Sequence, residues 1–297
     1  MKLLSFGEIL WDLYPTEKYI GGAPFNFAAH VAKHGESVYL LSCLGMDDLS
    51  DEALERLKAF GVSTDYVSRS QAYPTGRCVV TLDEQGIPSY DLVSDVAYDH
   101  IPCDGIVEDF DVLYFGTLAL RSEENFRSLG RLLQEKQFRE IFVDVNLRPP
   151  FYSKKTLAFA LENATILKIS DEELPQVAQM LAIEKHQDFP KTLQEKYPNL
   201  KIILITCGAE GAYCYDGMQE HFCPAPKVEV ASTVGAGDSF LAAFLYQFTQ
   251  KRELPFCLQY ATQVAGFVVS QYEAVPDYPF FQQRKGDYED ATQPETY

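Results

Sequence analysis

Short apolar runs alternate with segments of helical periodicity, and this alternation constrains the fold more than any other feature of the chain. Runs typical of buried strands occupy residues 3–6, 37–44, 112–115, 141–145, 166–169 and 202–205. Helical patterns cover residues 25–34, 51–60, 171–181 and 256–269. Parallel strands need long, usually helical, crossover connections. The alternation therefore predicts an α/β fold with a parallel sheet.

The charge balance excludes one class of partner. The 297 residues include 25 Lys and Arg against 43 Asp and Glu, a formal net charge of −18, so no basic surface for nucleic acid is expected. Backbone N–H groups and a few cations can still bind a phosphorylated ligand. Seven scattered cysteines without a C-x-x-C pair indicate reduced thiols. No signal peptide or membrane-length apolar run is evident, which predicts a cytoplasmic protein without a membrane partner.

Residues 233–240 read TVGAGDSF and lead into an apolar run that continues to residue 245. The glycines predict a tight turn that opens a buried helix, and the first N–H groups of a helix form an anion site. An aspartate there, Asp238, is expected to take a proton from a hydroxyl that attacks a phosphate held by these amides. The bland alternative is a helix start with a favourably placed carboxylate. A Rossmann loop would need glycine where Phe240 stands, and no Walker A motif occurs.

One region interrupts the alternation. Residues 77–82 and 89–93 are strand-like, and the intervening 83–88 have turn chemistry, which predicts a β-hairpin. We expect a small β lid formed by residues from about 10–20 and 73–100. Such a lid would exclude water from a site of phosphate transfer.

Two separated signatures resemble the ribokinase-like (PfkB) carbohydrate kinases, and within them the bacterial fructokinases. The first is GGAPFNFA at residues 21–28, continuing through Gly35 to Gly45. The second is STVGAGD at residues 232–238, followed by AAFL at 242–245. The resemblance implies a ribokinase-like fold, a central mostly parallel sheet with helices on both faces plus the small lid. The kinase domain would span residues 1–281, with a mobile tail at 282–297.

The resemblance also implies roles at the sugar side of the site. Asp238 would be the catalytic base, and the N–H groups of Gly235, Ala236 and Gly237 would stabilise charge on the transferred phosphoryl group. The residues expected to bind the sugar are Asp12, Gly22, Asn26, Asn146 and Arg148. Two of these have ordinary structural alternatives, a helix cap for Asn26 and a surface ion pair for Arg148.

On the nucleotide side, the resemblance implies ATP and Mg²⁺ as cofactors. The residues expected near ATP are Lys168, Ser170, Thr206, Gly208 and Gly211, together with Gly235 and Gly237. Glu173 would organise Mg²⁺ through water, or would instead close a capping box with Ser170. Ser232 and Glu273 depart from the family pattern for a monovalent-cation loop, which argues against a K⁺ site on the ribokinase plan.

These expectations converge on ATP-dependent phosphorylation of a sugar primary hydroxyl, with fructose as the first candidate. A 2-keto-3-deoxygluconate kinase is the alternative within enzymes, since Arg148 would also suit a carboxylated substrate. A nucleoside kinase is a further one. From another class, the alternative is a catalytically inactive sugar-binding regulator on a kinase scaffold. The family resemblance also implies a homodimer in which lid strands pack together.

Overall fold

The computed structural model describes residues 1–82, 88–184 and 188–278. In chain order the strands are β1 (Lys2–Phe6), β2 (Leu10–Leu13), β3 (Lys18–Gly21), β4 (Ser37–Gly45), β5 (Val67–Ser70), β6 (Gly76–Leu82), β7 (Pro88–Leu92), β8 (Val112–Gly116), β9 (Glu140–Asp144), β10 (Ile166–Ser170), β11 (Ile202–Thr206), β12 (Gly211–Tyr215) and β13 (Glu220–Pro224). The helices are α1 (Ala23–Lys33), α2 (Asp48–Ala59), α3 (Glu123–Glu135), α4 (Lys154–Asn163), α5 (Leu174–Leu181), α6 (Phe189–Lys196), α7 (Ala236–Thr249) and α8 (Leu254–Val269).

The larger sheet has the strand order β13-β12-β11-β10-β9-β8-β1-β4-β5. The pairs from β11 through to β5 are parallel, and β12 and β13 extend the sheet as an antiparallel edge. The carboxyl ends of the parallel strands therefore meet along one edge, where open α/β sheets bind their ligands.

Helices cover both faces of this sheet because successive side chains of each strand point to opposite sides. Ile166 of β10 belongs to the apolar layer that contains residues of α1, α2, α7 and α8. The next residue, Leu167, belongs to the layer formed with α3, α4, α5 and α6. Helix α7 is buried almost all round, from Ser239 to Leu245, as its continuous apolar sequence requires. The predicted α/β fold with helices on both faces is confirmed.

The smaller sheet has the strand order β3-β2-β6-β7. Strands β6 and β7 pair antiparallel, which confirms the predicted hairpin, although its connection at 83–87 lies outside the described residues. Strand β2 joins the hairpin in parallel and pairs antiparallel with β3. Strands from both segments predicted for the lid, about 10–20 and 73–100, thus lie in one small sheet. The predicted tail at 282–297 also lies outside the described residues.

The predicted strands of the larger sheet agree with the structure to within one residue at each end. The largest differences among the helices are at two starts, because α2 begins at Asp48 rather than 51 and α5 begins at Leu174 rather than 171. Residues 171–173 form a turn instead, because the Glu173 carboxylate accepts hydrogen bonds from the Ser170 N–H and hydroxyl. In the part of the chain described here, no helix is long and apolar enough to cross a membrane.

Candidate active site

A buried ion pair lies at the centre of the sheet, beside the turn that begins α7. Lys168 of β10 and Asp144 of β9 are register partners, and Lys168 Nζ lies 3.0 and 3.1 Å from the two Asp144 carboxylate oxygens. Burial lowers the pKa of Lys168, but the charges of Asp144 and Glu173 outweigh this effect and its pKa is raised. Lys168 is therefore a buried cation at neutral pH.

The G-A-G-D turn sits directly above this ion pair. A Cβ atom added to Gly237 would be only 3.1 Å from Lys168 Nζ, so glycine lets the ammonium group approach the turn. Gly235 begins the helix in the left-handed region, with φ of 80°. The Ala236 N–H donates to the Thr233 carbonyl at 3.3 Å. Those of Gly235, Gly237 and Asp238 find no acceptor among the described residues, which leaves them available to an anion.

Asp238 is held by the first of the two sequence signatures, through Asn26 of α1. Asn26 Nδ2 donates to Asp238 Oδ2 at 2.9 Å, across 212 residues of chain. The other amide atom, Asn26 Oδ1, is buried without a partner among the described residues and can accept from a ligand or water. Asn26 thus contacts Asp238 and does not cap its helix, whose cap is Gly22.

The electrostatic environment brings the Asp238 carboxyl close to the proton affinity that general-base catalysis needs. Burial raises the pKa of Asp238 from its ordinary 3.8 to about 7, and the charge of Asp144 adds to the rise. The hydrogen bond from Asn26 and the charges of Lys168 and Arg148 oppose it. A base with a pKa near the working pH accepts a proton readily and still releases it afterwards.

Asp12 lies on β2 of the small sheet, half-buried, where its carboxylate faces the turn into α1. A Cβ atom on Gly21 would be 3.4 Å from Asp12 Oδ2. Burial raises the pKa of Asp12, against the opposing effects of Cys78 and Arg148. Gly22 has φ of 111°, and its added Cβ would lie 2.4 Å from the Glu8 carbonyl oxygen, so only glycine fits there.

The positive charge of Arg148 acts on three aspartates of the candidate site. Arg148 is exposed beyond the end of β9, yet its charge lowers the pKa values of Asp12, Asp144 and Asp238. Asn146 precedes it with φ of 40°, a left-handed conformation that asparagine tolerates. The predicted surface ion pair is absent: among the described residues, no acidic side chain pairs with Arg148. Its guanidinium is available to a ligand.

The predicted nucleotide side is assembled only in part. Ser170 and Thr206 are register partners at the ends of β10 and β11. Gly208 is exposed, and an added Cβ would meet nothing within 4 Å, so ligand approach is open. Gly211 is different, because its added Cβ would lie 2.1 Å from the Cys223 carbonyl oxygen of β13. Close strand packing accounts for that glycine, which is buried.

Both carboxylate oxygens of Glu173 are already hydrogen-bonded. Oε1 accepts from the Leu147 N–H at 2.5 Å, and Oε2 from Ser170. The carboxylate thus fixes the turn before α5 and ties it to the segment after β9. Oε2 accepts two hydrogen bonds and Oε1 only one, so Oε1 retains a lone pair for a water molecule, which fits an indirect contact to a metal ion. The described residues contain no group of three or more His, Cys, Asp or Glu side chains that could form a metal cage.

Sequence reasoning did not single out two charged residues with buried side chains, Glu8 and Arg121. Glu8 is 2 % exposed, its Oε2 has no partner among the described residues, and burial raises its pKa to about 7. Arg121 donates to both Asp99 oxygens at 2.7 and 2.8 Å and to the Val93 carbonyl at 2.8 Å. It thereby joins the end of β8 to the small sheet. The only sequence signal was a charged residue beside each apolar strand.

Comparison with known proteins finds relatives in both sequence and structure. The chain is 25% identical to a probable fructokinase of Arabidopsis thaliana over 93% of its length and 88% of the relative's. It is 24% identical to a 2-dehydro-3-deoxygluconokinase of Haemophilus influenzae, over 90% of each chain. A fructokinase from Xylella fastidiosa, solved with bound ATP, superposes with a TM-score of 0.80 at 24% identity, covering 92% of this chain and 94% of that one.

At this identity the structural likeness establishes the fold alone. The family assignment rests on a broader match, because the sequence pattern of the pfkB family carbohydrate kinases covers residues 6–280. That range includes both signatures and all the candidate site residues named above. The chain belongs to the pfkB family of carbohydrate kinases.

Proposed function

We propose that this carbohydrate kinase transfers the γ-phosphoryl group of ATP to a primary hydroxyl of a sugar, with fructose as the preferred substrate. The observation that carries the proposal is the hydrogen bond from Asn26 to Asp238 at 2.9 Å. It lies beside the backbone N–H groups at the start of α7 that are unpaired among the described residues, and close to the buried Lys168. It joins the two sequence signatures. This arrangement supplies a base, an anion site and a cation within reach of one another.

In the proposed reaction, Asp238 accepts the proton of the sugar hydroxyl as its oxygen attacks the γ-phosphorus. The bond from that phosphorus to the bridging oxygen breaks, and ADP leaves. The N–H groups of Gly235 and Gly237, with Lys168 beneath them, stabilise the negative charge on the transferred oxygens. Asp12, Asn26 and Arg148 orient the sugar, and Gly22 lets it approach the backbone.

The donor set fits a nucleotide accompanied by magnesium. Mg²⁺ usually keeps several waters and binds through substrate phosphates with one or two carboxylates. Glu173 would hold the ion through water, and Ser170, Thr206 and Gly208 would lie along the nucleotide. The ion, when bound, would neutralise charge on the phosphates. Because Ser232 and Glu273 depart from the family pattern for a monovalent-cation loop, the proposed reaction requires no monovalent cation.

A second substrate has its own support. Arg148 has no carboxylate partner among the described residues, and a guanidinium fork suits a carboxylate well. One relative is a 2-dehydro-3-deoxygluconokinase. Phosphorylation of 2-keto-3-deoxygluconate is therefore the alternative activity, and it would use the same base and anion site.

A coupled assay of ADP formation over a sugar panel at fixed ATP tests the substrate. We expect fructose to give the highest kcat/KM, with Asp238→Asn lowering turnover by at least about 10²-fold. Preference for 2-keto-3-deoxygluconate would replace fructose but keep the mechanism. Sugar binding without ADP formation would indicate a regulator on a kinase scaffold. We also propose a cytoplasmic homodimer, for which sedimentation analysis supplies the test of assembly.

A further inference from the structure

A buried histidine on α1 has no part in the mechanism above. His30 follows Asn26 by four residues on the same helix and has 0% exposure. Its Nε2 lies 3.0 Å from the Ala274 carbonyl oxygen, and its Nδ1 contacts the Tyr278 hydroxyl. A carbonyl can only accept, so Nε2 carries the hydrogen and Nδ1 accepts from Tyr278. Burial lowers the pKa of His30 to about 3, which keeps the ring neutral at working pH.

The Ala274 carbonyl, which His30 contacts, lies against Gly235 of the G-A-G-D turn. A Cβ atom added to Gly235 would lie 2.4 Å from the Ala274 oxygen and 3.0 Å from the Ala274 Cα. Gly235 is the residue whose left-handed backbone starts α7 and aims the free amides. Any shift of Ala274 therefore changes the space in which the turn is packed.

The ion pair between α1 and this segment is weaker. Lys33 Nζ pairs with Asp277 Oδ1 at 3.0 Å, but the aspartate is fully exposed. Exposed ion pairs contribute little because water and salt screen them. The buried hydrogen bond of His30 is shielded from water, and it cannot be replaced by solvent without opening the packing.

We propose that His30 is a positioning residue for phosphoryl transfer, which fixes the G-A-G-D turn by holding the Ala274 carbonyl against Gly235. Helix α1 then controls both ends of the turn: Asn26 bonds Asp238, and His30 fixes Gly235 through Ala274. The inference rests on the proposed function, in which these amides and Asp238 act on the phosphoryl group. It adds a residue that touches neither substrate.

The test compares His30→Leu, which removes both ring nitrogens, with His30→Gln, which keeps a donor. His34→Leu is the matched control, because His34 is the C-cap of the same helix and its Nδ1 contacts the His30 carbonyl at 2.7 Å. We expect His30→Leu to lower kcat by about 10- to 10²-fold, as misplaced catalytic groups do, with the sugar KM close to wild type. His30→Gln should recover part of kcat, and His34→Leu should retain it.

Equal loss of kcat in His30→Leu and His34→Leu, or no recovery in His30→Gln, would overturn the proposal. If His30→Leu does not fold, Tyr278→Phe decides, because it removes only the hydroxyl that orients the ring and should lower kcat without raising KM. An unchanged kcat in Tyr278→Phe then counts against positioning. Asp238→Asn, assayed in parallel, separates the two claims: if it stays active, the proposed function fails first.

Discussion

The Asp238 carboxylate should destabilise the fold, and Asp238→Asn measures by how much. Its pKa is raised from the ordinary 3.8 to about 7, mainly by burial. A raised carboxyl pKa means that the native state binds the proton more tightly than the unfolded chain. The native state is therefore weakened as pH rises from about 4 to about 7, and the full effect is present above that range.

The size of the effect follows from the two pKa values. Each pH unit between native and unfolded pKa corresponds to about 1.4 kcal/mol, which sets an upper limit of about 4 kcal/mol. Asp238 keeps partial contact with solvent, so we discount this and expect about 2 kcal/mol. The amide side chain introduced by Asp238→Asn has nearly the same shape without the charge, and its oxygen could still accept from Asn26.

Urea unfolding of wild type and Asp238→Asn at several pH values provides the measurement, followed through the fluorescence of Trp11, the single tryptophan. We expect equal stability near pH 4 and a variant about 2 kcal/mol more stable at pH 8. Asp65→Asn is the control, because Asp65 is exposed and should show no such trend. A stability difference for Asp238→Asn that does not change with pH would refute the electrostatic reasoning.

Three further variants test the surroundings of the base. Lys168→Met should lower the free energy of unfolding in urea by about 3–5 kcal/mol, because it leaves Asp144 unpaired. Adding Asp144→Asn should restore stability but not turnover. A fully active double variant would contradict a role for the cation. Gly235→Ala should lower stability by about 1–3 kcal/mol in thermal melts, because the new Cβ meets Ala274; an unchanged melting temperature would contradict this close approach. Arg148→Gln should leave the melting temperature unchanged and raise the sugar KM. It should also shift the acidic limb of the pH profile of kcat/KM to higher pH. An unchanged acidic limb would show that the charge of Arg148 does not affect Asp238.

The fold was predictable because its local signals agree with one another. Apolar runs, helical periodicity and the turn residues of the hairpin all point to the same elements, and the six strands predicted in the larger sheet were located to within one residue, although β5, β12 and β13 were not predicted. The grouping of Asp238 with Asn26 was also accessible, since both belong to signatures. Their contact distance was not, because it depends on how α1 and α7 pack.

The parts that sequence could not supply depend on register and on three-dimensional neighbours. The pairing of Lys168 with Asp144 follows from the alignment of β9 and β10, which apolar patterning leaves open by two residues in either direction. Gly211 fits a nucleotide turn by sequence, yet its backbone lies against Cys223. The His30 contact joins residues separated by 244 positions and has no local pattern.

Several departures from local rules lie around a single turn, and this clustering is itself an argument for function. A chain selected only for stability would fill the positions of Lys168 and Asp144 with apolar residues, because a buried ion pair is often no better than good packing. It would also avoid a carboxylate with a raised pKa at Asp238 and a left-handed, tightly confined Gly235. Elsewhere, the central strands and helices follow ordinary patterning. Local conflicts of this kind are expected where chemistry, rather than folding, determines the residue. The residues around the start of α7 thus lower the stability of the fold, and they hold close together the Asp238 carboxylate, the Lys168 cation and backbone N–H groups that are unpaired among the described residues.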